Sequence, residues 1–216
     1  MSTPDQRYSC EHVVAMELEP RHHLIIDNEF VRGFAVEIAP HDRTLCHQHQ
    51  HDYVLYIAGD AEVLSAPREG EPQTFKYTDE ECDFSAAGLV HVVENLSDTK
   101  FRNLVVELLP GVAGLRRGQD PKAILGEVAW DQRFTEELAS VFVLNMGSDS
   151  EVAVCGPAIL ASPYEHKTEV SGLGGERIII NDFRDLAWLS PSLEFRVKNL
   201  ADAPARVVVI AVGTQG

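Results

Sequence analysis

The sequence predicts an all-β protein built from two tandem copies of one small barrel, with a short and partly helical connector. Two observations carry this. Short runs rich in Val, Ile, Leu and Phe recur roughly every ten residues between clusters of Gly, Pro, Asn and Asp, the spacing of a sandwich or barrel. A segment also repeats: Gly88-Leu-Val-His-Val-Val-Glu-Asn-Leu-Ser-Asp98 aligns, 104 residues further on, with Ser192-Leu-Glu-Phe-Arg-Val-Lys-Asn-Leu-Ala-Asp202. Each copy is followed by a strand-like run, and a looser match sets Glu37–Asp42 beside Leu144–Asp149.

Taken in order, residues 1–20 form an N-terminal segment and residues 21–118 the first barrel. The first barrel has strands expected at His23–Ile26, Val31–Ile38, Val54–Ile57, Glu62–Leu64, Val90–Val93 and Leu104–Leu108. Residues 119–216 hold the connector and the second barrel, with strands at Val141–Leu144, Ile178–Ile180 and Val207–Val212. The connector, Pro121–Ser140, contains Lys122-Ala-Ile-Leu and Phe134-Thr-Glu-Glu-Leu, both of helical composition. Ser171-Gly-Leu-Gly-Gly175 lacks the Lys-Ser/Thr ending of a phosphate loop and reads as a turn between strands.

The 216 residues carry a formal charge of −16, spread thinly along the chain, which repels nucleic-acid phosphates and anionic membranes. The longest apolar run, Val207–Gly213, falls far short of a membrane span, and no basic stretch followed by a long apolar one opens the chain. A cytoplasmic protein without nucleic-acid or membrane partners is the expectation. Cys10, Cys46, Cys82 and Cys155 lie far apart with no CxxC pair, so reduced thiols are expected, with Cys46 packed rather than reactive.

Chemistry concentrates in Cys46-His47-Gln-His49-Gln-His51-Asp-Tyr53. On a strand alternate side chains share a face, so His47 and His49 form a chelating pair. A third ligand must come from elsewhere, and His91 is the best-placed candidate. His51 and Tyr53 share the inward parity: His51, where the chain turns, is a candidate fourth ligand, and Tyr53 a hydrogen-bond donor to ligand or substrate. His22 and His23 precede a strand and could reach a barrel mouth, but read more readily as surface or satisfied core histidines.

These residues resemble the cupin superfamily. Its first motif pairs His-x-His with a Glu and a later Gly; here His47, His49 and Gly59 fit, while the Glu position falls on Tyr53 or Asp52. Its second motif is similar to Ala86-Ala-Gly88-Leu-Val-His91-Val-Val-Glu-Asn95, except that Ala86 stands for Pro. With the duplication, the resemblance covers nearly the whole chain and implies two tandem cupin-type double-stranded β-helix barrels. One divalent transition metal (Fe, Zn, Ni or Mn) would sit in the first, on His47, His49 and His91. The second copy carries Val154, Gly156 and Phe195 at those positions and is expected to have lost the site. The resemblance further implies a small-molecule substrate or ligand and a homodimer. Its reading as an enzyme is metal-dependent and dioxygenase-like, or an isomerase or cyclase; its reading as a non-enzymatic binding or sensing protein stays open beside it.

Overall fold

The computed structural model describes residues 8–117, 129–164, 166–172, 174–191 and 193–215. Among them the chain is all β, with 3-10 turns at Met16–Leu18 and Pro110–Gly114 and no α-helix. Two compact units emerge. The first comprises the described residues up to Leu24 with Phe34–Glu107, and the second comprises Ile25–Gly33 with those from Leu108 onward. The segment 25–33 and residues 108–117, placed by the sequence in the first barrel, thus cluster with the second unit.

In chain order the first ten strands are β1 (Val14–Ala15), β2 (His22–Asp27), β3 (Val31–Ile38), β4 (His47–Gln48), β5 (Tyr53–Ala58), β6 (Ala61–Pro67), β7 (Gln73–Tyr77), β8 (Cys82–Ser85), β9 (Val90–Asn95) and β10 (Phe101–Leu108). They form two five-stranded sheets, ordered β1-β4-β9-β6-β7 and β2-β3-β10-β5-β8. Inward-facing Phe34, Val36, Ile57, Val63 and Val105, drawn from both sheets, share one buried cluster. This is the alternation expected when one face of each sheet packs inward.

The later strands are β11 (Arg116–Arg117), β12 (Trp130–Thr135), β13 (Ala139–Met146), β14 (Glu151–Cys155), β15 (Ala158–Ala161), β16 (Thr168–Gly172), β17 (Arg177–Ile180), β18 (Leu186–Leu189), β19 (Glu194–Asn199), β20 (Ala205–Val212) and β21 (Thr214–Gln215). Their main sheets run β12-β13-β20-β15-β18 and β14-β19-β16-β17. Each strand of these two sheets stands where its counterpart ten elements earlier stands, so the repeat read from two short segments extends to both; β1 has no such equivalent, since β11 pairs with β21 and not with β14. The looser match is one residue out of step, since Val31–Ile38 corresponds to Ala139–Met146.

One duplicated side chain shows what the repeat preserves. Asn95 and Asn199 are both fully buried at the ends of β9 and β19. The Asn95 amide donates to Thr99 O at 2.8 Å and Ala39 O at 3.2 Å, and its Oδ1 accepts from the Ser97 N–H at 2.9 Å. Asn199 donates to Ala203 O at 2.8 Å and Gly147 O at 2.9 Å, and accepts from the Ala201 N–H at 2.9 Å. Both amides clamp a turn that would otherwise bury unpaired backbone groups. Replacing either by Ala should cost about 1–3 kcal/mol in chemical denaturation, and a cost confined to one copy would contradict this shared role.

Two expectations are corrected. Phe134-Thr-Glu-Glu-Leu is not helical: β12 runs to Thr135, pairs with β13, and residues 136–138 make a tight hairpin turn. The buried guanidinium of Arg117 pins that turn by donating to the carbonyls of Glu136 and Glu137 and to Ser140 Oγ, so tertiary contacts override local propensity. Lys122-Ala-Ile-Leu lies outside the described residues. Second, Cys10 and Cys46 are not thiols but a disulfide, with Cα atoms 5.2 Å apart; Cys82 and Cys155 are not disulfide-bonded. The bond ties the N-terminal segment to β4, where β1 pairs in parallel, Val14 opposite His47. No helix among the described residues is long and apolar enough to cross a membrane.

Candidate metal centre

Four strands of the first unit build one polar cluster. In β4 and β9 the residues His47 and His91 are direct antiparallel partners. Pairing continues past the end of β4, since the His49 N–H donates to Leu89 O at 2.9 Å and the Gly88 N–H to His49 O at 2.8 Å. Gly88, at φ 101°, makes this turn into β9 in a conformation that side chains disfavour. Period-two alternation then puts His47 and His49 on one face. All three rings are buried, and one nitrogen from each lies within 4.8 Å of the others.

The hydrogen bonds select which nitrogens are left over. His47 Nδ1 meets Leu45 O at 3.0 Å, and His91 Nδ1 meets Ser65 Oγ at 2.9 Å. His47 Nε2 is buried with no partner. His49 Nε2 lies 3.2 Å from His91 Nε2, while His49 Nδ1 has no partner, so either tautomer of His49 leaves one buried nitrogen unsatisfied. Two ligands about 2.1 Å from one ion, at an angle of about 90–110°, lie about 3.0–3.4 Å apart. The trio therefore fits a metal better than it fits itself. Burial holds all three imidazoles neutral, His47 down at about 4 and His49 and His91 well below the usual range, with neighbouring histidines adding to the effect. Neutral imidazole is the ligand form.

Tyr53 is buried, stacks on His49 with ring centroids 4.1 Å apart, and faces the same cavity. Burial pushes its phenol up, against a hydrogen bond with Ser85. A phenol that keeps its proton is a hydrogen-bond donor. Asp52, the other residue at the Glu position, spends its carboxylate on the Ala87 N–H at 2.8 Å. His51 sits half-buried in the bend before β5 and does not join the group of three.

Glu19 and His22 are the residues that sequence reasoning missed. His22 opens β2, is buried, lines the cavity and brings its ring to 4.7 Å from that of His47. Its Nδ1 is bound by Glu19 Oε2 at 2.9 Å, which leaves Nε2 for the cavity side. Burial pushes the Glu19 carboxyl up, but His22 and the Leu45 and Arg21 N–H groups outweigh this and hold it at about 2. The only trace in the sequence is the Glu-x-x-His spacing, which is too common to signal anything.

The second unit answers the same positions with packing. Val154 pairs with Phe195 just as His47 pairs with His91, and both lie in an apolar core with Phe142, Leu160 and Val209. At Gly156 a Cβ would come within 2.2 Å of Ser190 O, so that position has no room for any ligand side chain.

No protein-family model and no curated protein matches the sequence. Among solved structures, a cupin domain from Bordetella pertussis Tohama I is 30% identical over 40% of this chain and 90% of its own, at a TM-score of 0.39. Vicilin from Solanum lycopersicum (tomato) is 11% identical, covering 87% of this chain and 76% of its own at a TM-score of 0.62. A salicylate 1,2-dioxygenase from Pseudaminobacter salicylatoxidans is 9% identical, covering 88% and 76% at 0.56. The last two concern the fold alone, and because they match it about equally, the reaction rests on the site.

Proposed function

The chain belongs to the cupin superfamily, and on that premise we propose that its first copy binds one divalent metal on His47, His49 and His91 and acts on a small organic molecule beside it. The observation that carries this reading is the convergence of three buried, neutral imidazoles, one with Nε2 unpartnered and two with Nε2 atoms 3.2 Å apart. A divalent ion on three neutral ligands supplies a net +2 charge and open positions, for Lewis-acid chemistry or, as iron(II), for a dioxygenase-like reaction.

The protein's own groups set the stage for it. Leu45 O and Ser65 Oγ fix the rings of His47 and His91 through Nδ1, the outer-shell arrangement that orients metal-binding histidines. Glu19 does the same for His22. His22 and Tyr53 line the same cavity and are then polar groups available to a bound molecule. A binding or sensing role is the second reading. It is favoured by the residue at the Glu position, since Tyr53 lies flat on His49 and supplies no anionic ligand.

Metal analysis of untagged protein should find one equivalent per chain, and oxygen uptake with the metal found, across a panel of small organic substrates, separates the two readings. A second specifically bound equivalent would contradict the apolar filling of Val154 and Phe195. In Tyr53→Phe the metal should stay while ligand binding or turnover weakens several-fold, consistent with loss of one hydrogen bond of about 1 kcal/mol; loss of metal instead would make Tyr53 a ligand.

A further inference from the structure

The cavity beside the histidines is built for an uncharged body. It has a volume of about 160 Å³, close to the roughly 150 Å³ of apolar cavities that hold a benzene ring. Among the described residues that line it there is no Lys or Arg, and the one carboxylate is Asp83, which is exposed. Besides the histidines the wall is mostly aliphatic and aromatic, with Thr44, Ser65, Ser85 and Asn103 as its uncharged polar members. Tyr77 stacks between Phe75 and Phe101, with centroids at 5.9 and 6.1 Å and planes within 9° and 3° of parallel. Phe75 is 38% exposed while Phe101 is buried, so the ladder leads from the surface inward. Tyr53, stacked on His49, shares a hydrogen bond with Ser85.

We infer that this site takes a molecule with a single oxygen-bearing end, turned to the histidines, and a flat apolar body of about one ring on the Phe75–Tyr77–Phe101 side, and that it rejects molecules with a second anionic group. The inference rests on the metal reading only for where the oxygen end goes. With a divalent ion on His47, His49 and His91, an anionic end would be neutralised there. A second carboxylate would be buried against apolar wall, or set beside Asp83, with no cation to meet it, and buried unpaired charge is among the costliest arrangements in a protein. The −16 charge of the chain adds to this repulsion at long range.

The test uses the full chain with 4-fluorophenol, benzoate and terephthalate as probes, after a zinc titration that examines the metal reading alone. The metal-free chain should bind 4-fluorophenol at one per chain, followed by fluorine NMR, with shifts in the ring protons of Phe75, Tyr77 and Phe101. Val93→Trp, which fills the cavity, should abolish this. Zinc-loaded protein should bind benzoate at least about tenfold more tightly than terephthalate by calorimetry. Asp83→Lys, a change at an exposed position, should narrow that ratio several-fold. Terephthalate binding as tightly as benzoate, or a ratio unmoved by Asp83→Lys, overturns the inference. Failure of the metal-free chain to saturate with 4-fluorophenol overturns it whatever the zinc titration gives.

Discussion

His91→Ala should abolish stable metal binding and leave a folded protein. His91 is the ligand supplied by β9, and without it the His47/His49 pair is a two-point site, so affinity should fall by well over about a hundredfold, more than the loss of a single outer-shell partner costs. Folding should survive because apolar burial, not the ion, holds both units together: the second carries Val154 and Phe195 in place of two of the ligands and keeps the same strand order. Elemental analysis after dialysis, with thermal denaturation of the same sample, checks both halves. A variant that keeps full metal content removes the three-histidine site, and one that fails to fold without metal makes the ion part of the scaffold.

The metal-free protein should lose stability steeply as pH falls from about 6.5 to 4.5. Buried His47, His49 and His91 have folded values below their unfolded value of 6.5. In that window the unfolded chain therefore binds more protons than the folded one, and stability falls with pH. His47, held at about 4, contributes up to about 2 kcal/mol of this loss by pH 4.5, and the other two act in the same direction. Glu19, lowered to about 2 from 4.5, adds stability that is complete above 4.5 and is lost only below it. Unfolding curves from pH 7.5 to 4.5 in the presence of a chelator give the measurement. A flat profile would mean that the three rings are not buried neutral, and protein loaded with zinc should resist until protons displace the ion from the same nitrogens.

The part of this architecture legible in the sequence is the part written in short-range pattern. Val31–Ile38 matches its strand to the residue because both faces of β3 are largely apolar, and Val207–Val212 falls inside β20 for the same reason. Gln73–Tyr77 was not expected as a strand because its alternation rests on two residues only, Phe75 and Tyr77, too short a pattern to separate from a polar loop. His47, His49 and His91 were legible through motif spacing. Glu19 and His22 were not, because what brings them to the site is the N-terminal segment folding back to pair β1 with β4. Cys10 and Cys46 were unreadable for a related reason: 36 residues separate them, and sequence distance says nothing about whether two Cβ atoms meet.

The paired clamps at Asn95 and Asn199 make each half of the chain a control for the other. A residue type that recurs at equivalent places in both, such as the buried amide and the turn it closes, is one that this fold uses wherever it is built. One found in the first half alone, such as the histidines with Ser65 behind His91, is one that the same strand arrangement does without when Val154 and Phe195 fill the place, so substitutions there can be read for function with the second half as the internal standard for folding.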